Sequence, residues 1–200
     1  MPEHHEIRAQ YDARTLTVYQ AYRSAIAVPA VENGRFVEPF SFTRMTWIKP
    51  SFLWMMERSD YGRKRGQEHV LAVKIRRDGF EKALSLGVLT SFDPAAHPSR
   101  TDWEKDFDDA KVHVQWDPER GIRGQKLPHR SIQIGISRHV VAELNDEWIV
   151  TIDDISPLVR KINALRLSGS WSRARALLPR ERVYDVPDDV GRRLGMRTRR

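Results

Sequence analysis

Three stretches of this 200-residue chain gather side chains able to hold or transform an anion. The most concentrated covers residues 44–62, RMTWIKPSFLWMMERSDYG, where Lys49, Ser51 and Arg58 stand among Trp47, Phe52, Trp54, Met55 and Met56. Most of that apolar area suits a core. The polar members suit a phosphate or carboxylate. A helix opening at Pro50 or Ser51 turns free N–H groups and the positive end of its dipole outward, with Lys49 adjacent. The plainer alternative is a capped helix with surface cations. Residues 115–137, QWDPERGIRGQKLPHRSIQIGIS, set Asp117 and Glu119 around Pro118, followed by Arg120, Arg123 and Arg130. Asp-Pro by itself explains a turn. The functional reading is a glycine-flanked loop that offers a carboxylate and arginine forks to a ligand. Residues 7–22, IRAQYDARTLTVYQAY, bring Arg8, Gln10, Tyr11, Tyr19 and Gln20 near a strand, where tyrosine is also an ordinary occupant.

Other chemistries lack their patterns. Neither GxGxxG nor GxxxxGK[ST] occurs, nor HExxH, nor GxSxG. The chain has no cysteine, which excludes disulfides and thiolate metal sites. His4 and His5 are adjacent and the other histidines are scattered, so no metal is expected. Asp153 and Asp154 precede a helix and suit capping rather than acid–base work.

The elements that must position these groups follow from periodicity. TLTVYQAY, EHVLAVKIRR, KVHVQWD, HRSIQIGIS and WIVTIDD read as strands. Ile132, Ile134 and Ile136 share one face of theirs, and Ser131, Gln133 and Gly135 the other. SAIAVPAVENG reads as a helix with Ser24 as cap, either short or starting at Pro29. SFLWMMERS, DGFEKALSLG with Asp78 as cap, TDWEKDFDDA capped by Thr101, and SRHVVAELNDEW read as further helices. SPLVRKINALRLSG opens on Ser156 and Pro157 and stops at Gly169, and SWSRARALLP adds a last short helix. PERGIRGQKLP reads as a long loop. The order is not a clean strand–helix repeat. It predicts a compact α+β domain with a bent or split mixed sheet flanked by short helices, over residues 1–167, with residues 168–200 as a basic extension.

The net charge of +7 belongs to that carboxy-terminal part. Residues 160–200 hold 12 basic and 4 acidic side chains, against 22 and 23 in the remainder. An end reading MRTRR suits either a solvated terminus or contact with nucleic acid or another polyanion. No stretch approaches the roughly 18–20 apolar residues of a membrane span. The first residues lack the apolar centre of a signal peptide, and a cytoplasmic location is expected.

IRAQYD and TVYQAY, RMTWIKPSFLWMMERS, and QWDPER with RSIQIGIS closely resemble the bacterial and fungal domain-of-unknown-function family numbered 4291, from about Ile7 to about Leu167. Architecturally, the strand ending VYQAY, the helix ending NGRF, the segment with Ser51 and the strands VLAVKI and SIQIGIS are similar to the ADP-ribosyltransferase arrangement. In that superfamily a split sheet grips NAD. The resemblance places Tyr19 and Gln20 at the first motif, Ser51 and Trp54 at the second, and Gln133 or Glu119 at the third.

The leading expectation is an NAD-using transferase of ADP-ribosyltransferase type. Glu119 would stabilise the cationic sugar and Gln133 would assist. Lys49, Arg58, Arg120 and Arg130 would line the anion-binding cleft, the first three holding the pyrophosphate. The alternative is a non-catalytic nucleic-acid-binding module that uses the basic tail and an Arg/Trp surface.

Overall fold

Alternating apolar residues decide the strands, and the longest pair shows how. Ile132, Ile134 and Ile136 are fully buried and stand opposite Trp116, Val114 and Val112. The computed structural model describes residues 4–196. In chain order it contains β1 (His4–His5), β2 (Arg8–Ala9), β3 (Thr15–Tyr22), α1 (Ser24–Asn33), β4 (Thr46–Ile48) and α2 (Phe52–Ser59). Then come β5 (His69–Arg76), α3 (Arg77–Ser85), β6 (Gly87–Leu89), α4 (Arg100–Asp108), β7 (Val112–Arg120) and β8 (Lys126–Ile136). A short α5 (Val141–Glu143) runs into a π-helical turn (Leu144–Trp148), and β9 (Ile149–Asp154), α6 (Ser156–Leu167), α7 (Trp171–Ala176), β10 (Arg182–Val183) and α8 (Asp188–Arg193) complete the chain.

Strand β8 organises the larger, mixed sheet. It pairs with β7 along its length, with β1 in parallel at residues 129–130, and with β4 antiparallel at residues 134–136. Strand β6 joins β7 in parallel. A second sheet, β3-β5-β9, is antiparallel. The two meet immediately after β4. Lys49 donates its N–H to Tyr19 O at 3.3 Å, and Tyr19 N–H donates to Lys49 O at 2.7 Å. The sheet is therefore one curled surface, split except at this contact. Gln20 braces the same seam from β3: its Nε2 lies 2.7 Å from Thr46 Oγ1 and 2.9 Å from Tyr22 Oη. Two apolar clusters fill the interior. One lies around Val73, Ile75, Val114 and Ile134, and the other around Tyr19, Phe52, Met55 and Ile162.

The residues 168–200 expected as an extension are, as far as they are described, part of the fold. Strand β10 pairs with β2, Tyr184 and Leu194 are buried, and Trp116 Nε1 donates to Leu194 O at 2.8 Å. Of the charges that suggested a tail, Arg160, Lys161, Arg173, Arg175, Arg192 and Arg193 are exposed on α6, α7 and α8, while Ala174, Tyr184 and Leu194 supply inward contacts. The MRTRR motif reaches beyond the described residues. Among the described residues no helix is long and apolar enough to cross a membrane.

The long loop PERGIRGQKLP is mostly hairpin. Strand β7 extends to Arg120 and absorbs Pro118 at a register shift, and the turn closes with Gly121 N–H to Gln125 O at 2.9 Å. Helix boundaries move by a residue or two, as helix ends do. Ser99 rather than Thr101 caps α4, and α1 runs through Pro29 to Gly34, whose φ of +64° closes it. In α3, Gly79 sits where a Cβ would lie 2.4 Å from Trp148 Cγ. Gly79→Ala is therefore expected to cost about 2 kcal/mol through overpacking, despite alanine's better helix propensity, as urea unfolding would read.

Candidate functional site

Alternation on three strands aims one set of side chains to the same side. Trp47 stands opposite Gly135, and Gln115 opposite Gln133. Asp117 lies two residues beyond Gln115, and Lys49 two beyond Trp47. Gly135 leaves room for the indole: a Cβ there would come within 3.0 Å of the Trp47 ring. Helix α2 closes the opening, because Trp54 and Arg58 are four residues apart and share a face. Together Trp47, Lys49, Trp54, Arg58, Gln115, Asp117 and Gln133 line a hollow of about 410 Å³ beside the seam of the split sheet.

The floor is pre-ordered. Asp117 accepts hydrogen bonds from Gln115 Nε2 at 3.0 Å and from Gln133 Nε2 at 2.8 Å. Lys49 is only 7% exposed, and its Nζ finds nothing better than Trp47 O at 3.5 Å. Among the described residues it has no ion-pair partner. Burial is the main cause that pulls its ammonium down to about 8, the nearby Arg58 charge adds to this, and Asp117 opposes it. The Trp54 indole N–H is buried and also lacks an acceptor among the described residues. A buried cation without an ion-pair contact and a buried donor without an acceptor are both costly, and an anion bearing acceptors would relieve both.

Lys49, Trp54, Arg58 and Gln133 thus converge as the sequence suggests, and the other candidates lie elsewhere. Tyr19 is buried in the second cluster, its ring edge-on to Phe52 at 5.5 Å. Gln20 serves the seam. Ser51 is the side-chain cap of α2, accepting Trp54 N–H at 3.2 Å, and Glu181 takes Phe52 N–H at 2.6 Å. Those two N–H groups at the start of α2 are satisfied from within, so the free helix end expected from Pro50 and Ser51 is not offered to a ligand. Glu119 is 4% exposed and its Oε1 accepts its neighbour's N–H, from Arg120, at 2.8 Å. Arg120 itself pairs with Glu57 at 3.3 Å. Arg130 is three residues from Gln133, so alternation sends it to the opposite face, where it donates to Trp116 O at 2.9 Å.

Trp47, Gln115 and Asp117 belong to the cleft although they are absent from the expected site. The signal for Gln115 and Asp117 was present in the alternation of VHVQWD, but Asp-Pro reads as a turn. Trp47 reads as core because most tryptophans are. Among the described residues no three His, Asp or Glu side chains gather as metal ligands would.

Comparison with curated proteins gives no match. Residues 6–184 match the family model DUF4291, a domain of unknown function. The match runs past Leu167 through α7 and β10 to Tyr184, the same stretch that folds back onto β2. The chain belongs to the DUF4291 family.

Proposed function

We propose that the cleft binds a phosphate-bearing nucleotide and that the chain is an NAD-using transferase of ADP-ribosyltransferase type. One observation carries the reading: Lys49 and Arg58, neither in an ion pair among the described residues, stand with two tryptophans and a single carboxylate around one hollow at a sheet split. Its volume falls in the range of small-molecule sites. Lys49 and Arg58 supply the charge for phosphate oxygens, and Trp47 and Trp54 supply flat faces for a base or nicotinamide ring. The carboxylate that would steady a positive sugar carbon is Asp117 rather than the expected Glu119, since Asp117 lines the hollow and is held by Gln115 and Gln133.

The test is calorimetric titration with NAD and ADP-ribose, with nicotinamide release measured in parallel. Lys49→Met is expected to weaken binding at least about tenfold, the loss of one charge-assisted contact. Asp117→Asn is expected to keep binding and lose nicotinamide release. No heat with either ligand would remove the proposal.

A nucleic-acid-binding module is the second reading. It is favoured by Arg160, Lys161, Arg173, Arg175 and Arg180, all exposed on or beside α6 and α7, and by the Arg123 guanidinium 5.3 Å from the Trp171 ring. Silence towards NAD, combined with single-strand binding that falls steeply with salt, would favour this reading.

A further inference from the structure

The chain has eight lysines. Seven are exposed (Lys64, Lys74, Lys82, Lys105, Lys111, Lys126 and Lys161), and Lys49 alone is buried. It is buried in an open hollow rather than in the core, and among the described residues it has no carboxylate within ion-pair distance and its ammonium makes only one hydrogen bond, to a carbonyl at 3.5 Å. That setting favours the uncharged, nucleophilic form of its amine, because burial disfavours the ammonium. Around it are a cation to receive a phosphate, Arg58, two flat indoles, Trp47 and Trp54, and a proton acceptor, Asp117.

We infer that Lys49 is a nucleophilic amine that condenses with phosphate-bearing aromatic aldehydes in the cleft. The lone pair of Nζ attacks the aldehyde carbon and the carbonyl π pair moves to oxygen. Two proton transfers, one of them through Asp117, carry both hydrogens of the attacking amine to that oxygen. It leaves as water as the nitrogen lone pair closes the C=N bond. Amine and aldehyde give imine and water, with no change of oxidation state. The inference shares the hollow with the nucleotide reading but not its transfer chemistry, so each can fail alone.

The probe is limiting pyridoxal 5′-phosphate, reduced with borohydride and mapped by peptide mass. The label is expected on Lys49 in preference to the seven exposed lysines. Lys49→Arg is expected to abolish that label with an unchanged circular-dichroism spectrum. Pyridoxal, which lacks the phosphate, is expected to label Lys49 at least about tenfold less. Label spread over the exposed lysines with Lys49 unmodified would overturn the inference, and so would equal labelling by pyridoxal. Because the wild-type map needs no variant, a variant that misfolds does not blunt the test.

Discussion

Replacing Lys49 by Met is expected to stabilise the chain by about 3 kcal/mol at pH 7, a rise of roughly 6–10 °C in Tm for a domain of this size. The reason is the ammonium held down from 10.5 to about 8 by burial. Below pH 8 both folded and unfolded chains carry the charge, and only the folded chain bears its desolvation. Between 8 and 10.5 the unfolded lysine is still protonated while the folded one is not. The penalty therefore fades as pH rises, and the stability of the parent climbs toward that of the variant. Methionine fits the same unbranched volume and loses only the long contact to Trp47 O. Urea unfolding from pH 7 to 10.5 checks both the gain and its decline. A variant no more stable than its parent would show that water or a counter-charge already serves Lys49, and the demand for a ligand anion would vanish. With the binding loss argued above, one substitution trades function for stability, as strained sites do.

Strands are legible in the sequence where alternation is strong. Strand β3 spans the residues TLTVYQAY, and β8 hides its three isoleucines as their spacing requires. Half of the cleft was legible in the same way, because Lys49, Trp54, Arg58 and Gln133 lie on elements whose faces are set locally. Arg130 falls outside the expected cleft because an odd separation from Gln133 along one strand means opposite faces. Other misses were not local at all. The amino end of α2 looked available to a ligand because nothing near it in sequence satisfies Phe52 N–H; the acceptor, Glu181, lies 129 residues away. That partner sits in the basic stretch whose net charge suggested an extension. Charge reports the solvent face of α6 to α8 and is silent about Ala174, Tyr184 and Leu194 on the other side. Pro118 misled in another way. It signals a turn, yet β7 carries it past a register shift and keeps Asp117 in the ladder.

Glu181 supplies the second large effect, with the opposite dependence on pH. It is a partly buried residue whose carboxyl end is the deep part. Burial raises that carboxyl to about 8, the Phe52 N–H it accepts pulls the other way, and neighbouring Glu119 adds repulsion. A folded carboxyl titrating above its unfolded value of 4.5 holds a proton the unfolded chain has released, so stability falls as pH climbs from 4.5 to 8. Glu181→Gln removes the charge and keeps a carbonyl for Phe52 N–H. It is expected to be nearly neutral at pH 4.5 and to stabilise by about 4 kcal/mol at pH 8. Glu181→Ala removes the acceptor as well, so its gain at pH 8 is expected to be smaller by about 1 kcal/mol, the worth of that hydrogen bond. Equal gains in the two variants would mean that Phe52 N–H reaches water instead. A flat pH profile for Glu181→Gln against the parent would mean that the carboxyl is not desolvated. Because α2 carries Trp54 and Arg58 into the cleft, the gap between the Gln and Ala variants also measures how firmly the far end of the chain fixes the wall of the site.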